Sequence, residues 1–212
     1  MVIPTLYAQN TAIRMSATPS NSRTSSAICF PWFTLAASAL AVVVWFWPGS
    51  FEALAYQRAE ILGGAWCRLL TGHWVHFSGS HLFWNLAVLL PAGMWLERRN
   101  PAALRWTLAL SPLIIGLALL AFDPSLATYA GLSGVTSGVL VALAVHGLRT
   151  QPDARRWWLA MLTLFAVKIA VESFRGRPLN AALAAQTIHS VPLAHLVGAA
   201  TGAAVVFWRR GK

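Results

Sequence analysis

The chain has 212 residues, of which 57% are apolar and only 10% charged; a soluble domain normally carries about a quarter charged residues, so an ordinary soluble domain is excluded. Its net charge of +10 sits in short basic clusters between apolar runs, which argues against a nucleic-acid partner, since that would present one continuous basic face. The two cysteines, Cys29 and Cys67, form no C-x-x-C pair, and neither zinc nor thioredoxin-like chemistry is indicated.

Residues 1–26 are rich in Ser and Thr, include Arg14 and Arg23, and read as a disordered cytoplasmic tail or an over-extended gene start. The run from Ala27 to Trp47, closed by Pro48-Gly49, predicts a first spanning helix, which needs roughly 20 apolar residues. A cleaved signal peptide is the competing reading, with Ala53-Leu54-Ala55 as its processing site. The apolar run exceeds the roughly 7–15 residues of a signal-peptide core, and that favours a retained anchor.

Five further apolar segments follow, over residues 81–96, 103–122, 131–148, 157–174 and 191–208. Residues 209–212 form a basic tail. The expected fold is all-α: one membrane domain over 27–208, built from six transmembrane helices. Segments two and six are short for a full span, which predicts a wetter or thinned environment at their ends.

Loop charge sets the expected orientation. With the N-terminus cytoplasmic, eleven Lys and Arg fall inside and four outside (Arg58, Arg68, Arg175, Arg177), while Lys168 lies within a helix. Both termini are therefore expected in the cytoplasm. That topology puts Cys29 and Cys67 on opposite sides and rules out a disulfide between them. It also sends segments two, four and six from outside to inside, so that their N-terminal ends share one depth.

Those ends collect the polar residues. Segment four opens with Gly131-Leu132-Ser133-Gly134, and a serine at a helix N-terminus meets unpaired N–H groups that favour a developing anion. Taken alone, the tetrapeptide reads equally as a small-residue packing surface. Segment six carries His195 roughly 6 Å below its start at about 1.5 Å per residue, followed by Gly198 and Gly202, whose spacing of four makes one smooth face. An ionisable residue inside a membrane helix is costly and marks function by default; the bland alternative is a neutral His bonded to a carbonyl. His81 and Asn85 on segment two lie at i and i+4, on one face, and both can donate hydrogen bonds to an oxyanion or simply knit helices together.

Other polar residues carry less. His73, His76 and His81 lack a carboxylate and an H-E-x-x-H helix, so no metal site is expected, and no cofactor is indicated. Lys168 and Glu172 at i and i+4 read as a mutually neutralised, snorkelling pair. His146, near the inner end of segment four, receives no role.

Taken together, G-x-S-G on the fourth segment, A-H-x-x-G-x-x-x-G on the sixth and H-x-x-x-N on the second resemble the rhomboid family of intramembrane serine proteases, over about residues 50–208. Trp66-Cys67-Arg68-Leu69-Leu70-Thr71-Gly72-His73, Tyr129-Ala130-Gly131-Leu132-Ser133-Gly134 and the Lys168…Glu172 spacing look closest to its bacterial rhombosortase branch. The resemblance implies a multi-pass protein of the bacterial inner membrane with a periplasm-facing site. Ser133 would be the nucleophile and His195 its base, a dyad without a carboxylate. His81, Asn85 and the Ser133 N–H would form the oxyanion hole, with His76 a lesser contributor, and Gly131, Gly134, Gly198 and Gly202 would allow close approach. Substrates would be single-span or C-terminally anchored proteins in the bilayer, of the Gly-Gly-plus-helix kind for a rhombosortase.

The sequence departs from the family pattern in two places. Many rhomboids place Tyr one turn after the serine, stacked on the catalytic His; here Ser137 stands there, and its hydroxyl is expected to hydrogen-bond the imidazole and fix its tautomer. Many also have Trp-Arg in the first outer loop, where this chain has Trp66-Cys67-Arg68. The alternative function is a catalytically inactive rhomboid-like protein that binds transmembrane helices. A small transporter would instead need an inverted repeat with broken helices at mid-membrane, which the sequence does not show.

Overall fold

The structure, a computed structural model, describes residues 30–175 and 191–208. Both predicted tails, Cys29 and Arg177 lie outside the described residues. Helices dominate, in the order α1 (Trp32–Phe46), α2 (Ser50–Leu54), α3 (Arg58–Leu62), α4 (Arg68–Thr71), α5 (Gly79–Arg99), α6 (Pro101–Phe122), α7 (Ser133–Thr150), α8 (Arg155–Arg175) and α9 (Pro192–Trp208). A pair of two-residue strands, β1 (Tyr56–Gln57) and β2 (Thr128–Tyr129), qualifies the all-α expectation; they pair antiparallel with Tyr56 opposite Tyr129.

Local chemistry explains where the long helices start and stop. Ser78 adopts an extended conformation and its hydroxyl accepts from the His81 N–H, capping α5. Asn100 ends α5 and caps α6, its Oδ1 accepting from the Ala103 N–H at 3.0 Å, with Pro101 in the first helical position. Gly49, at φ 76°, closes the turn after α1 in a conformation that costs other residues more. At the far end of α9, Arg149 Nη1 donates to the Val206 carbonyl, occupying one of the acceptors a helix terminus leaves over.

Segment two is not short: α5 has 21 residues. Glu97-Arg98-Arg99 reads as an exit from the apolar phase, yet the helix continues through it because Glu97 is only 1% exposed and fully engaged. Its carboxylate accepts from the Phe33 and Thr34 N–H groups at 2.9 Å and from the Thr34 hydroxyl at 2.7 Å. Glu97 thus caps α1 from another helix, where the N–H groups and the dipole favour negative charge. Helix α1 is docked on α5 through that contact. The sixth segment does remain short, at 17 residues.

Helix α7 occupies the centre, packed against α5, α6, α8 and α9. It contributes Val135, Val139, Ala142 and Ala144 to a core that also includes Leu89, Leu104, Ile115 and Leu119. Large apolar side chains such as Trp32, Phe46, Leu164 and Val167 lie on the outside, the inverse of a soluble protein's surface and the surface that a bilayer solvates. Helix α6 and the stretch Pro152–Phe174 are each long and apolar enough to cross a membrane, and α1 and α9 are shorter apolar helices.

Candidate active site

Ser133 is the first residue of α7 and His195 the fourth of α9. The two helices meet along matched glycines. A methyl group added to Gly198 would run into the Gly134 carbonyl, and one on Gly202 into the Gly138 carbonyl. The reciprocal additions on Gly134 and Gly138 would crowd the carbonyls of Ala194 and Gly198. With no side chain between them the backbones touch, as small-residue repeats permit. The His195 ring thereby reaches the start of α7, with Nε2 3.0 Å from Ser133 Oγ. For the serine to donate, Nε2 must be the bare nitrogen and Nδ1 must carry the hydrogen.

Behind the imidazole stands Glu172 of α8, its Oε2 3.7 Å from His195 Nδ1 and 2.6 Å from Lys168 Nζ. The Lys–Glu pair is the one the i, i+4 spacing predicts. Its place against the histidine is not legible in that spacing, because it depends on how α8 is rotated towards α9. Gly138 also escaped the sequence reading, although Gly134-x-x-x-Gly138 mirrors Gly198-x-x-x-Gly202 and that symmetry was the available signal.

Ser137 does not contact the imidazole in the way expected of it. Its hydroxyl donates to the Ser133 carbonyl at 2.8 Å, the i−4 acceptor that a serine inside a helix finds most easily.

The segment entering α7 is held by the loop preceding α5. Gly131 has φ 127°, its N–H donates to the Gly72 carbonyl and its carbonyl accepts from the Tyr129 hydroxyl. A side chain there would also strike the His81 ring, so glycine is required for both conformation and space. The Leu132 N–H points at His76 Nε2 at 3.5 Å. His76 and His81 pack edge to face with centroids 5.2 Å apart. Asn85 is buried, and its Nδ2 donates to the His81 carbonyl; the amide's other hydrogen is left for a further acceptor. His81 and Asn85 of α5, Ser133 of α7 and His195 of α9 thus all lie within the first two turns of their helices.

His73 is spent elsewhere. Its Nε2 donates to the Pro112 carbonyl at 2.9 Å, tying the loop to α6. Burial lowers the His73 pKa to about 4 and, with some help from His81, the His76 pKa to about 3, so both rings are neutral. Burial likewise pushes the Tyr129 phenol up to about 12. Arg68 donates to the Ala55 and Glu52 carbonyls, and Arg58 to Leu120. These two arginines staple the loop rather than face a ligand. Cys67 is a free, exposed thiol.

Chemically, a hydroxyl against an imidazole, with donors nearby and a helix N-terminus beneath, is an arrangement for acyl transfer. Compared with known protein families, residues 63–212 match the one described as the Rhomboid domain. No curated protein matches the chain.

Proposed function

The chain belongs to the rhomboid family, and we propose that it is an intramembrane serine endopeptidase in which Ser133 is the nucleophile and His195 the general base. Members of this family are membrane-embedded and in general cleave substrates within the bilayer. The observation that carries the reading for this chain is the 3.0 Å approach of His195 Nε2 to Ser133 Oγ.

In the proposed mechanism Ser133 Oγ attacks the scissile carbonyl while its proton passes to Nε2. Negative charge develops on the carbonyl oxygen. The Ser133 N–H, which as a first-turn donor has no partner within its helix, stabilises that charge together with His81 and Asn85, and His76 holds the adjoining Leu132 N–H. The imidazolium returns the proton to the leaving amine, and water attacks the acyl-enzyme in the reverse sense. Gly131 lets the His81 ring lie against the segment that leads into Ser133.

The distribution of basic residues supports six spanning helices with both termini cytoplasmic and the site open to the periplasm of a bacterial inner membrane. The site's place at the helix ends, not at mid-bundle, supports supply of water from that side. Substrates on this reading are single-span or C-terminally anchored proteins. The Trp66–His73 and Tyr129–Gly134 sequences favour the rhombosortase branch and a Gly-Gly-plus-helix anchor.

The test is co-expression of an anchored Gly-Gly reporter and a general single-span reporter with wild type, Ser133→Ala and His195→Ala. Processing by wild type alone supports the dyad, and the reporter that is cut identifies the branch. Equal processing in all three strains would refute the proposal.

A further inference from the structure

Resting on that reading, we infer that Glu172 is a positioning residue for His195, extending the pair to a Ser133–His195–Glu172 line whose charge is trimmed by Lys168. The three side chains come from three different helices and lie in sequence: Oγ to Nε2 at 3.0 Å, then Nδ1 to Oε2 at 3.7 Å.

Burial is the first argument. The Lys168 side chain is 43% exposed while that of Glu172 is 1% exposed. An i, i+4 ion pair needs neither partner buried, and sequestering a carboxylate costs more than such a pair returns at a surface. The position of Glu172 is therefore not explained by Lys168 alone. In its buried position Glu172 Oε2 lies at the edge of the imidazole turned away from Ser133.

Tautomer is the second. Ser133 can donate to Nε2 only if Nδ1 bears the hydrogen, and among the described residues Nδ1 has no hydrogen-bond partner. The aromatic clamp expected of the family is absent, and the Ser137 hydroxyl that stands there is engaged with the Ser133 carbonyl. Glu172 Oε2 is the acceptor facing that hydrogen. A separation of 3.7 Å is long for the resting state, but catalytic hydrogen bonds commonly shorten when substrate binds.

Charge is the third. When Nε2 takes the serine proton, the imidazolium lies beside a carboxylate and is stabilised, and no proton crosses to Glu172. In the resting state Lys168, 2.6 Å from the same oxygen, offsets the carboxylate and keeps the ring from being protonated prematurely.

The test measures cleavage of a single-span reporter peptide in detergent by wild type, Ser133→Ala, Glu172→Gln, Glu172→Asp and the double variant Lys168→Met/Glu172→Gln. The double variant removes both charges of the Lys168–Glu172 pair and covers failure of the single one to fold. We expect kcat to fall about 10- to 100-fold in the Gln and double variants, less than the ~10⁴-fold of a tightly bonded triad carboxylate, with KM unchanged and partial recovery in Glu172→Asp. Wild-type kcat in the double variant, or a loss confined to KM, overturns the inference and leaves the dyad standing. Equal turnover by wild type and Ser133→Ala removes both.

Discussion

The Gly198 backbone lies directly against the Gly134 carbonyl, and this contact, more than any polar interaction, sets the distance between Ser133 and His195. Each residue of the dyad precedes its glycine, Ser133 by one position and His195 by three. Spacing between the helices and spacing between the reacting atoms are thus one quantity.

Gly198→Ala therefore tests geometry and stability together. The added methyl has only backbone to displace, an overpacking cost of about 1–3 kcal/mol, and a shift of about 1 Å at the dyad lowers reactivity by about 100-fold. Thermal unfolding in detergent and the rate of fluorophosphonate labelling measure the two effects. Wild-type labelling in this variant would mean that the helix contact does not position the pair.

Glu97→Gln is expected to destabilise the protein by about 1–2 kcal/mol, in the range of a lost helix cap, because one neutral amide oxygen replaces the two carboxylate oxygens that accept from Phe33 and Thr34. Thermal unfolding should shift downward while labelling of Ser133 in the folded fraction is unchanged. An unaltered melting temperature would show that α1 does not depend on this cap.

Much of the architecture is legible from local signals. Ser78, Asn100-Pro101 and Pro48-Gly49 mark helix boundaries by chemistry that acts within a few residues, and the polar residues at three helix starts are visible because charge and imidazole are rare in apolar runs. What is not legible depends on rotation and docking. Glu97 reads as a helix exit because its donors come from α1, the Thr34 N–H lying 63 residues upstream. Glu172 reads as half of a mutually neutralised, snorkelling pair because the sequence does not reveal which face α8 turns to α9. The loop between α1 and α5 shows no periodicity, so its short helices and the β1–β2 pair, held by Arg58, Arg68 and Thr71 side chains on distant carbonyls, escape the pattern of hydropathy.

Ser137→Ala should change labelling by less than about twofold, because a hydroxyl bonded to the i−4 carbonyl contributes little to the helix and does not touch the imidazole. A large loss would return Ser137 to the tautomer-setting role that its place in the sequence suggests.

Acid should weaken the fold through His73 and His76. Their folded-state pKa values of about 4 and about 3 lie below the ordinary 6.5, so between those limits the unfolded chain binds protons that the folded chain does not. Stability is full above pH 6.5 and is lost as pH falls from there toward 4. Melting temperatures in detergent are expected to drop between pH 7 and pH 5, and His73→Gln, which keeps an N–H donor for Pro112, should make the decline shallower. A flat profile would contradict the buried neutral state.

The most direct measurement is mass-spectrometric mapping of a fluorophosphonate adduct on the full chain in detergent. The dyad requires a covalent adduct on Ser133 in the wild type that is lost in His195→Ala. An adduct on another serine, or equal Ser133 labelling with and without the His195 imidazole, would contradict it.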